Sequence, residues 1–150
     1  MGGIDEKSDQ ILRELKRNGR ISNLELADRV GLSPSASLRR VQELERSGVI
    51  KGYRVVLDPT PLGIGFVAYI GVGLGDHSKA SQEAFERAIS RAPEVVECHN
   101  ITGSIEYLLR VECADLPSYK SFHTDKLGAL PQVNSITSYV VMGSPKDERA

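Results

Sequence analysis

The run Val30-Gly31-Leu32-Ser33-Pro34-Ser35-Ala36-Ser37-Leu38-Arg39-Arg40 decides how the first third of this chain folds. It joins two amphipathic segments through a connection of only a few residues. Gly31 suits a helix end, because glycine enters the left-handed conformation without a Cβ penalty. Ser33 suits the cap of the next helix, and Pro34 suits its first position, where a missing N–H removes nothing. Two helices joined by so tight a glycine-containing turn cross steeply, as in a helix-turn-helix. In that arrangement the second helix lies in a DNA major groove with its N-terminal residues against base edges.

Upstream, Ser22 followed by Glu25 predicts a capping box, with Leu26, Ala27 and Val30 on one face of a two-turn helix. Further upstream, residues 5–18 predict a first helix with Ile11, Leu12 and Leu15 inward and Gly19 as its C′ residue. Downstream, Leu38, Val41 and Leu44 recur at period three and predict the buried face of the third helix. Ser35, Ser37, Arg39, Arg40, Gln42 and Arg46 then point elsewhere, and Gly48 ends the helix. Residues 49–57 have the pattern of a strand.

This geometry nominates Ser33, Ser35, Ser37, Arg39, Arg40, Arg46 and Lys51 as contacts to double-stranded DNA. Serine hydroxyls bond phosphates or base edges, and arginine reaches phosphates or the O6/N7 edge of guanine. The competing reading is a protein-interaction module in which the arginines are simply solvated.

Charge distribution bears on that choice. The 150 residues hold 19 basic and 20 acidic side chains, a net charge of −1, which lacks the basic footprint of a nucleic-acid binder. The balance is uneven, however. Residues 1–58 carry 11 Lys/Arg against 9 Asp/Glu, and residues 59–150 carry 8 against 11. Arg39, Arg40, Arg46, Lys51 and Arg54 are opposed between residues 33 and 54 only by Glu43 and Glu45. Pro59 and Pro61 then mark a linker or turn. The expected organisation is a DNA-binding domain over 1–50, a connecting strand and linker over 51–63, and a second domain over 64–150.

In that second domain, Phe66, Ala68, Ile70, Val72 and Leu74 alternate with Val67, Tyr69, Gly71, Gly73 and Gly75. A glycine stripe on a strand marks a bulge or the close approach of another backbone; a partner subunit is expected near this face, with a curved strand that has no partner role as the alternative. Residues 79–91 predict a helix ended by Pro93, residues 95–102 and 106–113 two strands, residues 116–127 a helix capped by Asp115, and residues 133–142 a last strand. The order β-α-β-β-α-β is the ferredoxin-like split βαβ pattern. Its sheet has one face without helices, which dimerisation would cover. Overall the fold class is α+β, a three-helix helix-turn-helix domain plus a ferredoxin-like βαββαβ sandwich.

Several strings resemble the leucine-responsive regulator (Lrp/AsnC) family of transcription regulators. They are Asp9-x-Ile11-Leu12-x-Glu14-Leu15, Asn18-Gly19-Arg20-Ile21-Ser22-Asn23-x-Glu25-Leu26-Ala27, Val30-Gly31-Leu32-Ser33-Pro34-Ser35, and Leu38-Arg39-Arg40-Val41 through Gly48-Val49-Ile50-Lys51-Gly52-Tyr53. Pro93-Glu94-Val95-Val96-Glu97-Cys98 resembles the family's run into its second strand. Thr102-Gly103-Ser104-Ile105-Glu106-Tyr107 resembles its Gly-x-x-Asp-Tyr effector loop, with Glu106 in place of aspartate. The resemblance implies a cytoplasmic DNA-binding regulator. It also implies a C-terminal domain that forms homodimers, tetramers or octamers and senses a small amino acid at residues 102–107. Glu106 keeps the charge but adds a methylene, which alters the reach of that pocket and leaves the effector's identity open. On the residues alone, Glu106 reads equally well as an exposed charge at a strand edge.

Enzyme chemistry finds no constellation. His77, His99 and His123 lie on three different predicted elements, and no Cys-x-x-Cys, His-Glu-x-x-His, Gly-x-Ser-x-Gly or Walker-type loop occurs. No catalytic residue, metal ligand or cofactor is therefore expected. Cys98 and Cys113 occupy inward-looking strand positions as small core residues. No apolar run is long enough to span a bilayer, and the start shows no signal peptide. The enzyme alternative is a sirohaem-decarboxylase-like protein, which resembles the same two-domain architecture. It would use His99, Arg110 and His123 in a pocket between subunits. The non-enzyme alternative is an effector-independent architectural DNA-binding protein of the same architecture.

Overall fold

A computed structural model describes residues 3–149. They divide into two compact units, one ending at Val56 and one beginning at Leu57.

The first unit contains α1 (Glu6–Arg17), α2 (Asn23–Val30) and α3 (Pro34–Arg46). Each begins on a side-chain cap. Asp5 accepts from the Ser8 N–H, Ser22 from Glu25 N–H and Ser33 from Ala36 N–H. Glu25 does not complete a capping box; its carboxylate pairs with Arg29 at 2.7 Å, one turn along the helix. Gly31 ends α2 in the left-handed conformation, with φ of 66°. Gly19 is not left-handed, because α1 ends at Asn18 in an extended conformation. Ile11, Leu26, Val30 and Leu44 form the core, flanked by Leu12, Leu15, Ile21, Leu32, Val41 and Ile50. Polar contacts also brace the bundle, among them Lys7 Nζ donating to Val30 O at 2.6 Å, Asn23 Nδ2 to Pro34 O at 2.8 Å and Arg29 Nη1 to Glu14 Oε2 at 3.1 Å.

The expected strand over residues 49–57 does not form. The segment has no ladder partner among the described residues, and Val49, Tyr53, Val55, Val56 and Leu57 are exposed. A strand pattern needs a second strand to satisfy its backbone, and the described residues supply none there.

The second unit follows the order β1 (Phe66–Leu74), α4 (Lys79–Ile89), β2 (Val95–Asn100), β3 (Tyr107–Cys113), α5 (Leu116–Ser121), β4 (Val133–Val140). The antiparallel sheet runs β2-β3-β1-β4, the ferredoxin-like arrangement. α5 continues as a π-helical turn, Phe122–Leu127, where a single helix was expected. The alternation in β1 and β3 has a direct consequence: Ala68, Ile70, Val72, Leu74, Tyr107, Leu109, Val111 and Cys113 all face the helices. There they pack on Phe85, Ile89, Tyr119, Phe122 and Leu127.

The glycine stripe lies on the opposite face, and its neighbours come from the same chain. A Cβ on Gly71 would come within 2.5 Å of Ile105 Cδ1, and one on Gly73 would collide with Ser135 Oγ. At Gly71 and Gly73 the close neighbours are this chain's own side chains rather than another backbone. Cys113 is buried, as its position predicts, but Cys98 is exposed. It pairs across to Leu109 on the helix-facing side, yet β2 is an edge strand that the helices do not fully cover.

Candidate nucleic-acid interface and effector loop

The inward face of α3 keeps Val41 and Leu44 as predicted, but not Leu38. Ser37 is completely buried, whereas Leu38 is 47 % exposed. The inward stripe is Ser37, Val41 and Leu44, with Arg40 half-buried beside it. The outward stripe is therefore Ser35, Leu38, Arg39, Gln42 and Arg46. These positions recur at i, i+3, i+4, i+7 and i+11, the spacing of one helix face.

This corrects two of the candidate DNA contacts. Ser37 reaches no solvent, and its Oγ has no hydrogen-bond partner. Arg40 points across the bundle, with Nη1 2.5 Å from Asp5 Oδ2 and 3.3 Å from Ser8 Oγ. Its contacts tie α3 to the first turn of α1. Ser33 is engaged as the cap of α3, its Oγ 3.2 Å from Ala36 N and 3.3 Å from Ser35 Oγ. Arg46 is exposed but held by Glu43 at 2.7 Å, which offsets its charge. Arg39 and Lys51 are exposed and form no ion pair among the described residues. Gln42 received no role from the sequence, although helical spacing from Ser35 leads straight to it. A glutamine amide bonds adenine in bidentate fashion, and an apolar side chain such as Leu38 suits a thymine methyl.

In the second unit, Thr102, Gly103 and Ser104 form an exposed bend between β2 and β3. Gly103 has φ of 132°, a conformation L-residues rarely adopt. Ile105 folds back over Gly71 on the sheet face away from the helices. Glu106 is anchored by its backbone: its N–H donates to Val72 O at 3.0 Å, and its carbonyl accepts from Ile101 N–H at 2.8 Å. Its side chain is only 18 % exposed. Oε2 accepts from Leu74 N–H at 2.6 Å, and Oε1 lies 2.9 Å from His77 Nδ1. Glu106 is thus no free strand-edge charge, and no signal in the sequence points to His77 as its neighbour.

Tyr107 does not belong to this surface. It is buried on the helix side of the sheet, stacked near Phe85 with ring centroids 4.6 Å apart, and its hydroxyl donates to Glu86 at 2.6 Å. Burial, followed by the Glu86 contact, pushes its phenol above the ordinary range.

Within one chain the three residues of the enzyme alternative do not converge. Arg110 lies on the helix-free face, bonding Tyr69 OH at 2.9 Å. His99 shares that face but sits toward the edge on β2, 3.8 Å from Glu97. His123 lies in the helical layer against Tyr119, on the other side of the sheet. No group of three metal-binding side chains occurs among the described residues, and no described helix is long and apolar enough to cross a membrane.

Comparisons with known proteins place these features in context. Residues 67–150 match the Lrp/AsnC ligand binding domain, and residues 4–51 match a winged helix-turn-helix DNA-binding domain. The chain is 42 % identical over 139 residues to the proline dehydrogenase transcriptional activator of Rhodobacter capsulatus, covering 93 % of this chain and 90 % of that one. It is 38 % identical over 143 residues to the leucine-responsive regulatory protein of Escherichia coli, covering 95 % and 87 %. Its fold is similar to the crystal structure of a transcriptional regulator from Neisseria meningitidis in complex with L-Met. The TM-score is 0.92 at 34 % identity, covering 97 % of this chain and 94 % of that one.

Proposed function

Because the chain belongs to the Lrp/AsnC family of transcription regulators, we propose that it reads a specific duplex sequence through the outward stripe of α3. The observation that carries this is the stripe itself: Ser35, Leu38, Arg39, Gln42 and Arg46 exposed together on a helix whose inner face is locked by packing. Arg39 and Lys51 supply unpaired positive charge for phosphates, and Arg39 also has the fork geometry that reads guanine. Arg40 and Ser37 act inside the domain.

One such unit carries little net charge, so affinity comes from several units acting together. A homodimer places two recognition helices about one DNA turn (~34 Å) apart on a pseudo-palindrome. The helix-free sheet face with exposed Tyr139, and the exposed apolar residues Val55, Val56 and Leu57, are surfaces that a second copy would cover. Further assembly to a tetramer or octamer is what the family resemblance implies.

The second unit binds a small α-amino acid at the bend 102–106. Glu106 is the anionic group for its ammonium, and Tyr107 supports the bend from the core. Two relatives favour this ligand class: one structure holds L-Met and one relative is named as leucine-responsive. The protein works in the cytoplasm by binding, without catalysis or a resident cofactor.

Selection from a random duplex pool tests the DNA reading. A recovered pseudo-palindrome with half-sites one turn apart supports it, and recovery of unrelated sequences overturns it. A thermal-shift screen of the twenty amino acids tests the effector reading, since a ligand bound only by the folded state raises apparent stability.

A further inference from the structure

We infer that His77 is an internal competitor for the effector's ammonium group, occupying one oxygen of Glu106 and thereby setting the affinity of the site. The inference rests on the reading of residues 102–106 as the effector loop.

The two carboxylate oxygens of Glu106 are not equivalent. Oε2 is fixed, since it accepts from the main-chain N–H of Leu74 at the end of β1. Oε1 faces only a side chain, with His77 Nδ1 at 2.9 Å. That side chain is 72 % exposed, so it can rotate into water without opening the core. The exchangeable position on Glu106 is therefore the one His77 holds.

The loop carrying His77 is built to keep it there. Asp76 accepts from the Ser78 N–H at 2.9 Å and from the Ser78 hydroxyl at 2.7 Å. Ser78 in turn caps α4, and Gly75 N–H donates to Gln132 O at 3.0 Å. With backbone on both sides of His77 pinned, only its side-chain torsions need be ordered for the ring to meet Glu106.

The extra methylene of glutamate explains why this arrangement exists. The backbone of residue 106 is fixed by Val72 and Ile101. From that backbone, glutamate extends far enough to meet both Leu74 N–H and the His77 ring. Aspartate is one methylene shorter and would leave the His77 position vacant. The departure from the family's aspartate thus brings a competitor with it. An α-ammonium carries a full charge and three donors. It displaces the imidazole, but the exchange subtracts the value of the His77 contact from binding. Pairs with one exposed partner are worth little, so the effect is a modest tuning of affinity.

Calorimetric titration of the full chain with L-methionine and L-leucine tests this, using wild type, His77→Ala, His77→Phe and Glu106→Gln, with N-acetyl-L-methionine as a probe lacking the ammonium. Both His77 variants should bind their preferred amino acid about two- to fivefold more tightly than wild type. His77→Phe keeps the ring volume and loses the nitrogen, so its gain assigns the effect to the polar contact. Glu106→Gln and the acetylated probe should show no binding. Unchanged or weaker binding in the His77 variants, with binding still lost in Glu106→Gln, overturns the competitor role alone. Binding that survives Glu106→Gln, or absent from wild type and the His77 variants alike, overturns the effector reading as well.

Discussion

Arg40 Nη1 lies 2.5 Å from Asp5 Oδ2, so the third helix is tied to the N-cap of the first. One carboxylate thereby serves two elements. Its Oδ1 caps α1 through Ser8 N–H at 2.8 Å, and its Oδ2 holds the guanidinium of α3. An arginine in the middle of α3 thus serves to orient the helices. We expect Asp5→Ala and Arg40→Ala each to lower the melting temperature. The double variant should fall short of the sum, because the two changes remove one shared contact. A thermal-unfolding double-mutant cycle reads this, and strict additivity would contradict the tie.

The same pair sets an acid limit. The Arg40 hydrogen bond, aided by Ser8 N–H, holds the Asp5 carboxyl down to about 2 from its ordinary 3.8. A carboxyl depressed by folding stabilises the native state above its unfolded value, and that contribution is lost as pH falls from 3.8 through about 2. The difference in melting temperature between wild type and Asp5→Asn should therefore hold steady from neutral pH downward. It should close only in this acid window. A difference that closes near neutrality would point to another group.

Tyr107 gives a test that separates support from contact. Tyr107→Phe removes the hydroxyl bonded to Glu86. Stability should fall by about 0.5–1.5 kcal/mol, measured by denaturant unfolding, while amino-acid affinity stays at the wild-type value. Lost binding in a stably folded Tyr107→Phe would return this residue to the effector site.

Glycines at two places should respond differently to alanine. At Gly65 a Cβ would come within 2.7 Å of the Ala114 carbonyl oxygen, a backbone atom held in place. At Gly71 the obstacle is the tip of Ile105, which can change rotamer. Gly65→Ala should cost about 1–3 kcal/mol, and Gly71→Ala under about 1 kcal/mol, as measured by urea unfolding. Equal losses would show that the bend is as rigid as the backbone.

Much of this architecture is legible in the residues, and the exceptions have physical causes. Ser22, Ser33, Pro34 and Gly31 announce the helix ends because caps act locally. The alternation from Phe66 to Leu74 and from Tyr107 to Cys113 announces the sheet because strand side chains have period two. On the inner face of α3 the sequence favours Leu38 because leucine outranks serine in hydrophobicity, whereas it is Ser37 that is buried beside Val41 and Leu44. Arg40 looked available for DNA because its partner, Asp5, is 35 residues away. Residues 49–57 have strand composition but no strand to pair with among the described residues. Glu106 could be read as a strand-edge charge because Leu74 N–H and His77 are brought to it only by sheet pairing.

The most direct test of the account is the affinity of a selected operator duplex for wild type, Arg39→Ala, Gln42→Ala and Ser37→Ala, titrated by fluorescence anisotropy across a range of salt. Arg39→Ala and Gln42→Ala should each lose about 1–3 kcal/mol of discrimination or affinity. If Arg39 meets a phosphate, its loss should also reduce the salt slope by about 1. Ser37→Ala, buried behind the reading face, should bind like wild type once folded. Wild-type affinity and sequence preference in both Arg39→Ala and Gln42→Ala would contradict the assignment of the outward stripe of α3 as the DNA-reading surface.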